Sequence, residues 1–168
     1  MRLLLPLLLL SQSLYAAAID KITPQNVQSL VDVQTTSVMQ KDIDRLMALF
    51  GKDYRQVSSA PSQGQPITKD ELKKIYNSNF MVAKLIISKI DVLDAKIAED
   101  GKHGQLKTHV FTRYLIEVQD KQNILTQEED WISDIGLENG NLVYLRTEKR
   151  PAQPLPPPKP VVLPGVPG

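Results

Sequence analysis

The chain contains no cysteine among its 168 residues. This excludes disulfide cross-links, thiolate nucleophiles and zinc sites built on cysteine, so burial must hold the fold together. An excess of charge of one sign is also missing: 20 Lys and Arg side chains face 19 Asp and Glu, and removal of Arg2 leaves equal numbers. Proteins that bind nucleic acids or anionic membranes carry a clear excess of basic residues. The composition therefore predicts neither a nucleic acid nor an anionic membrane as a partner.

Several signatures of catalytic and metal sites are absent as well. The sequence has no glycine-rich phosphate loop and no GxSxG serine motif. Neither histidine belongs to an HxxE or HxH pair. We predict that His103 lies in a turn before Gly104 and that His109 shares a strand face with Lys107 and Arg113, whose charges disfavour a bound cation. We therefore expect no metal and no cofactor.

The first residues have the pattern of an export signal. A positively charged start precedes an apolar run at residues 3–10, and alanines at 16–18 offer a cleavage site. The run is shorter than the roughly 20 apolar residues that a membrane span needs. We interpret residues 1–18 as a signal peptide, expect no membrane span, and expect a periplasmic or extracellular location.

The last residues form a second appendage. Residues 151–168 contain eight prolines, a composition that favours polyproline II or disorder over helix and sheet. The PxxP spacing of Pro151, Pro154 and Pro157 is a possible docking motif for an aromatic groove, and a simple tether or spacer is the alternative. The domain itself is then expected at residues 19–150.

Two helices are predicted at the start of this domain. Thr23 is a suitable N-cap before Pro24, and apolar residues at steps of three and four predict one long amphipathic helix up to Phe50, ended by Gly51. Residues 34–37 are a weak stretch where we expect a kink or break.

The second helix is expected to begin with a capping box. Thr68 and Glu71 have the required spacing, and the helix is predicted to end near Ala83. A short strand at residues 53–57 precedes it.

Four strand-like runs follow and predict an antiparallel meander. They are residues 84–98, 105–119, 131–137 and 142–147. Asn139 and Gly140 supply the positive backbone angles of a tight hairpin turn between the last two. The apolar alternation of the first run changes phase at Val92 and Leu93, which predicts a β-bulge and a bent sheet.

This order of elements resembles the nuclear transport factor 2-like superfamily, which includes SnoaL-like and ketosteroid isomerase-like domains. The resemblance is carried by residues 42–54, 68–72, 129–131 and 140–142. It implies an α+β, cone-shaped domain in which a long helix packs in a strongly bent antiparallel sheet around an apolar cavity. It also implies a homodimer formed through the sheet, which Phe111 and Leu115 on a polar strand face support.

The leading functional hypothesis is a non-enzymatic domain that binds a small apolar ligand or a protein partner. The residues expected to line its pocket are Tyr54, Tyr76, Phe80, Tyr114 and Trp131. For Trp131, a place in the core or an interface is the alternative. A third hypothesis is a dimerisation unit that only presents the proline-rich tail.

The rival hypothesis is an isomerase, cyclase or dehydratase of ketosteroid isomerase type. Such a site needs a carboxylate base and acidic donors in an apolar pocket. Asp134 in the middle of a strand is the candidate base, with Tyr54 or Tyr114 as the donor; an exposed Asp134 is the alternative. The orientation of Asp134 distinguishes these hypotheses, because a base must face the cavity.

Overall fold

The computed structural model describes residues 18–59, 64–118 and 121–152. The expected signal peptide up to residue 17 and the proline-rich segment after Ala152 lie outside the described residues. The elements follow in the order α1 Pro24–Gln40, α2 Ile43–Met47, β1 Phe50–Ser58, β2 Ile67–Thr68, α3 Lys69–Val82, β3 Ala83–Ile97, β4 His103–Val118, β5 Lys121–Glu138 and β6 Asn141–Pro151. None of the helices in these ranges is long and apolar enough to cross a membrane.

The first helix begins as predicted. The Thr23 hydroxyl accepts a hydrogen bond from the Asn26 amide at 3.2 Å, and the Asn26 side chain accepts one from the Thr23 amide at 3.1 Å. Pro24 takes the first helical position, where its missing N–H leaves no hydrogen bond unmade. The helix then packs on β3 and β6 through residues that include Val27, Leu30 and Val31.

The predicted break at residues 34–37 is wrong. The helix continues to Gln40 because Gln34 and Ser37 are buried on its packed face, and it ends where Lys41 adopts the left-handed conformation with φ 58°. Asp42 then caps α2 by accepting a hydrogen bond from the Arg45 amide. A single long helix is thus replaced by α1 and the short α2.

Gly51 does not end a helix, as the sequence had suggested, but lies in β1. A Cβ atom at this position would lie 2.7 Å from Oε1 of Glu138, whose other oxygen accepts a hydrogen bond from the Lys52 amide. A larger residue at position 51 would therefore make the end of the Glu138 side chain move aside.

The second predicted helix is confirmed as α3. Its capping box is complete, since Thr68 accepts from the Glu71 amide and Glu71 accepts from the Thr68 amide. The helix ends at Val82, with Ala83 as its C-cap, and Leu72 and Phe80 are buried.

The six strands form one sheet in the order β2-β1-β6-β5-β4-β3. Every pairing is antiparallel except that of β1 with β6, which is parallel. The predicted bulge is confirmed between Val92 and Asp94, and the predicted turn is confirmed by positive φ angles at Asn139 and Gly140. The fold is α+β with helices packed on one face of a curved sheet, as expected.

One strand is longer than the sequence indicated. β5 begins at Lys121 rather than near Trp131, and it pairs with β4 from Lys121 to Gly136. Its first eight residues are exposed and mostly polar, so they carry no apolar alternation. Strand β6 ends at Pro151, one residue beyond the expected domain boundary.

Candidate functional site

A partly enclosed cavity lies between the helices and the inner face of the sheet. Residues from α1, α3, β1, β3, β4, β5 and β6 line it, and its volume is about 110 Å³. A cavity of about 150 Å³ holds benzene, whereas sites for drug-sized ligands measure about 300–1,000 Å³. The space is smaller than that benzene-binding cavity, so one small ring is about the largest molecule that it holds without movement of its walls.

Three of the five residues expected in the pocket contribute to its wall. Tyr76 on α3, Tyr114 on β4 and Trp131 on β5 line the cavity. Tyr54 and Phe80 instead lie in the core: Tyr54 meets the ring of Phe50 edge-on at 4.6 Å, and Phe80 packs against Tyr76 at 5.6 Å. These two rings are therefore not part of the cavity lining.

Asp134 lies on the outer face of the sheet. Its side chain is 44% exposed, accepts a hydrogen bond from Gln105 at 3.3 Å and lies 3.9 Å from Arg146. The neighbouring Ser133 faces inward and contacts Thr147. Because successive side chains of a strand point to opposite faces, Asp134 is not positioned to act as a base in the cavity.

The carboxylate that does line the cavity belongs to Glu129. Its Oε2 accepts a hydrogen bond from Trp131 Nε1 at 2.9 Å and lies 3.1 Å from Lys149 Nζ. Lys149 is paired with Trp131 across the strands, and its Nζ lies 4.7 Å from the centre of the Trp131 ring. The three side chains thus form one cluster with no net charge.

Sequence reasoning missed Glu129 because it placed the start of β5 at Trp131. The signal was present, since residues two apart on a strand share a face and Glu129 stands two positions before Trp131. Extending the strand backwards would have put the carboxylate beside the ring.

The tyrosines near the cavity keep their hydroxyl protons at neutral pH. Burial, and secondarily the nearby Glu129 charge, raise the pKa of Tyr114, whose hydroxyl also interacts with Asn79. Burial likewise raises the pKa of Tyr76, with smaller contributions from Tyr114 and Tyr54. Protonated phenols can donate hydrogen bonds to a ligand.

The wall is more polar than the resemblance implied. Gln34 on α1 and Gln56 on β1 line the cavity and are only 1% and 8% exposed. Within the part of the chain that the structure describes, we find no hydrogen bond to either side-chain amide. Ser88 and Thr112 add a pair of hydroxyls 3.4 Å apart.

His109 has an environment that differs from the expected one. It is buried on the outer face, with Nδ1 at 2.9 Å from Asp130 and Nε2 at 3.0 Å from Glu128. Asp130 is buried as well: the adjacent imidazole helps to cover it, and it is 5% exposed. His103 lies at the start of β4, exposed and 3.5 Å from Asp100.

Carboxylates around His109 do not form a metal site. Within the described ranges, no group of three or more histidine, aspartate or glutamate residues is placed to hold a metal ion.

Comparison with known proteins supports the fold through structure only. No family model and no curated protein sequence matches the chain. A putative scytalone dehydratase from Novosphingobium aromaticivorans is similar, with a TM-score of 0.64 at 15% identity over 77% of this chain and 83% of that one. A ketosteroid isomerase-like protein from Erwinia carotovora atroseptica gives a TM-score of 0.57 at 13% identity, covering 77% of this chain and 96% of that one.

A third similar structure is an NTF-2-like protein of unknown function from Shewanella oneidensis. Its TM-score is 0.58 at 12% identity, over 75% of this chain and 97% of that one. The described residues therefore form an α+β domain with a cavity between its helices and its sheet. The chain shares its fold with this NTF-2-like protein, in agreement with the resemblance drawn from the order of elements.

Proposed function

We propose that this domain binds a small, uncharged molecule of about one ring in the cavity and releases it unchanged. The observation that carries the proposal is the closed cluster of Glu129, Trp131 and Lys149 in the cavity wall. The charges of this cluster are already paired with each other, so an ionic ligand has no free counter-charge there. The rings of Tyr76 and Tyr114 offer it apolar surface.

The size of the cavity supports the same proposal. At about 110 Å³ the space is too small for a four-ring substrate without rearrangement of its walls. This argues against a steroid-type ligand, although the fold is shared with a ketosteroid isomerase-like protein.

An enzymatic function remains the second candidate, now centred on Glu129. A carboxylate and the protonated Tyr114 phenol share the cavity, which is the combination that proton transfer at a carbonyl substrate requires. Some similar structures are described as a putative scytalone dehydratase and a ketosteroid isomerase-like protein. One observation argues against this role. Glu129 Oε2 already accepts a hydrogen bond from Trp131 Nε1 and is paired with the Lys149 ammonium, so this oxygen is not free to take a proton from a substrate.

Native mass spectrometry of residues 19–168 purified from the source organism tests ligand binding. We expect a small additional mass on the wild-type protein, retained in Asp134→Asn on the outer face and lost in Val110→Phe, which fills the cavity. Trp131 is the only tryptophan, so its fluorescence should also respond to the one-ring probe cyclohexanone. A wild-type protein with neither response would contradict the proposal.

A turnover assay separates the two candidates. If the bound molecule is recovered chemically altered, and Glu129→Gln abolishes the alteration without abolishing binding, the enzymatic candidate replaces the binding proposal.

We also propose export and dimerisation. The pattern of residues 1–18 supports export, which detection of the mature N-terminus in a periplasmic or culture fraction would test. An apolar patch on the outer face, formed by Leu85, Ile87, Leu115 and Ile124, supports a homodimer because such patches mark association surfaces.

Light scattering tests the homodimer. Ile124 is 67% exposed, and we expect Ile124→Lys to convert the dimer into a monomer. A wild-type monomer at micromolar concentration would contradict this proposal.

Capture of a protein partner through residues 151–168 is the remaining alternative. Deletion of that segment should then abolish partner capture and leave folding intact. Capture that persists without the segment would refute it.

A further inference from the structure

Two buried side-chain amides in the cavity wall point to the chemistry of the ligand. We infer that the cavity selects a neutral ligand that presents an N–H donor and a carbonyl acceptor together, such as a lactam, amide or imide, and that Gln34 and Gln56 recognise it. This inference rests on the proposed binding function and names its ligand class.

The first step is the energetic cost of the amides. Gln34 is 1% exposed and Gln56 is 8% exposed, and no side-chain hydrogen bond is found for either amide within the described residues. Neither amide is fully enclosed without a partner, as the Ser37 hydroxyl is, so the polar atoms of both glutamines border the space of the cavity. A buried polar group without a partner is destabilising, and nearly all such groups in native proteins find one. Both side chains line the cavity, so a ligand there can supply the missing partners.

The second step is the matching chemistry. A glutamine amide carries two N–H donors and a carbonyl acceptor. A ligand group that satisfies the whole amide must itself contain both an N–H donor and a carbonyl acceptor. A ketone, an ether or a hydrocarbon does not contain both. Gln34 is fixed by α1 and Gln56 by β1, so the two contacts come from different elements and constrain the ligand's orientation.

The third step is charge. Among the described residues that line the cavity, only Glu129 and Lys149 are charged, and they pair with each other at 3.1 Å. An anionic or cationic ligand would lose its hydration without gaining an unpaired counter-charge. The neutral donor and acceptor group is therefore favoured over a carboxylate or an amine of equal size.

A set of matched six-membered rings tests the inference. δ-Valerolactam offers a donor and an acceptor, cyclohexanone offers only an acceptor, and cyclohexanecarboxylate carries a charge. Binding to the mature wild-type protein is measured by Trp131 fluorescence and by calorimetry. We expect the lactam to bind at least about tenfold more tightly than cyclohexanone, as a hydrogen bond of ordinary strength implies, and the carboxylate to bind weakest.

Variants assign the preference to the two amides. Gln34→Met and Gln56→Met keep the length of the side chain and remove its polar atoms. Each should reduce the preference for the lactam to within about twofold while leaving cyclohexanone binding intact, and the melting temperature should stay equal or rise because an unpaired buried amide is removed. Asp134→Asn should change neither quantity.

The outcomes separate this inference from the proposed function. If none of the rings changes Trp131 fluorescence or gives a binding signal, the proposed function fails. If the wild-type protein binds the lactam and cyclohexanone equally, the inference fails while the cavity remains a binding site. A lactam preference that survives both glutamine variants would likewise overturn the assignment and would leave bound water as the partner of the amides.

Discussion

Raising the pH above about 10 should unfold the protein, because Tyr54, Tyr114 and Tyr144 are buried and Tyr76 is partly buried, all with their hydroxyls protonated. Burial is the largest cause that raises the pKa of each: Tyr54, Tyr76, Tyr114 and Tyr144. In the unfolded chain the same phenols titrate near the ordinary pKa of about 10. Above that pH the unfolded state binds fewer protons than the folded state, so the free energy of unfolding falls as the pH rises towards the folded-state pKa values.

The number of tyrosines sets the size of the effect. Each tyrosine that stays protonated in the folded protein lowers the free energy of unfolding by about 1.4 kcal/mol per pH unit above its unfolded pKa. Four such residues give a slope of up to about 5.5 kcal/mol per pH unit. Small domains have a total stability of about 5–15 kcal/mol, so one or two pH units above 10 should suffice for cooperative unfolding.

Urea denaturation at several pH values between about 9 and 11 measures this slope. Unfolding is followed by Trp131 fluorescence, and phenolate formation by ultraviolet absorbance. Tyr76→Phe should reduce the slope by about 1.4 kcal/mol per pH unit, whereas Asp134→Asn on the outer face should leave it unchanged. Phenolate absorbance that develops fully near pH 10, while Trp131 fluorescence remains native, would refute the reasoning because the tyrosines would then be accessible in the folded protein.

Three further predictions concern stability and are checked by chemical denaturation. Gly140→Ala should lower the free energy of unfolding of the mature protein by about 1–2 kcal/mol because φ is +74°, a left-handed conformation that strains L side chains. Gly140→Asn should cost less because asparagine tolerates this conformation, and equal losses in the two variants would rule out backbone strain as the cause. Ser37→Ala should be neutral or stabilising by up to about 1 kcal/mol because the buried Ser37 hydroxyl has no hydrogen-bond partner in the described structure, so a clear loss of stability would mean that it does have one. Thr68→Ala should lower the free energy of unfolding by about 1 kcal/mol through loss of the α3 cap. An unchanged free energy of unfolding would show that the cap does not contribute to stability.

The features that could be predicted from the sequence have local chemical signals. Thr23 with Pro24, Thr68 with Glu71, and Asn139 with Gly140 each define a cap or a turn within a few residues, and the structure confirms all three. The end of α1 has no such signal, because the left-handed residue is Lys41 rather than a glycine. Gly51 was assigned a helix-ending role, but it lies in strand β1 and its close neighbour is Glu138, far away in the sequence.

The candidate site was harder to predict because it depends on which face of each strand meets the helices. Alternation places Ser133 and Asp134 on opposite faces of the strand, but it does not say which of the two points inward. That orientation follows from the packing of Trp131 and Ser133 against the interior. The sequence also did not identify Gln34 as a site residue. It is a polar residue within the apolar stripe of a predicted helix, and it was interpreted as part of a kink or break rather than as part of a cavity wall.

The parallel pairing of β1 with β6 has a consequence for how the domain is made. Phe50 and residues 55–58 pair with residues 144–149, so a strand from each end of the domain lies beside the other in the sheet. A growing chain that still lacks β6 leaves β1 without this neighbour, and the contact closes a loop of roughly 90 residues, which slows folding. Synthesis therefore has to be nearly complete before the sheet can close.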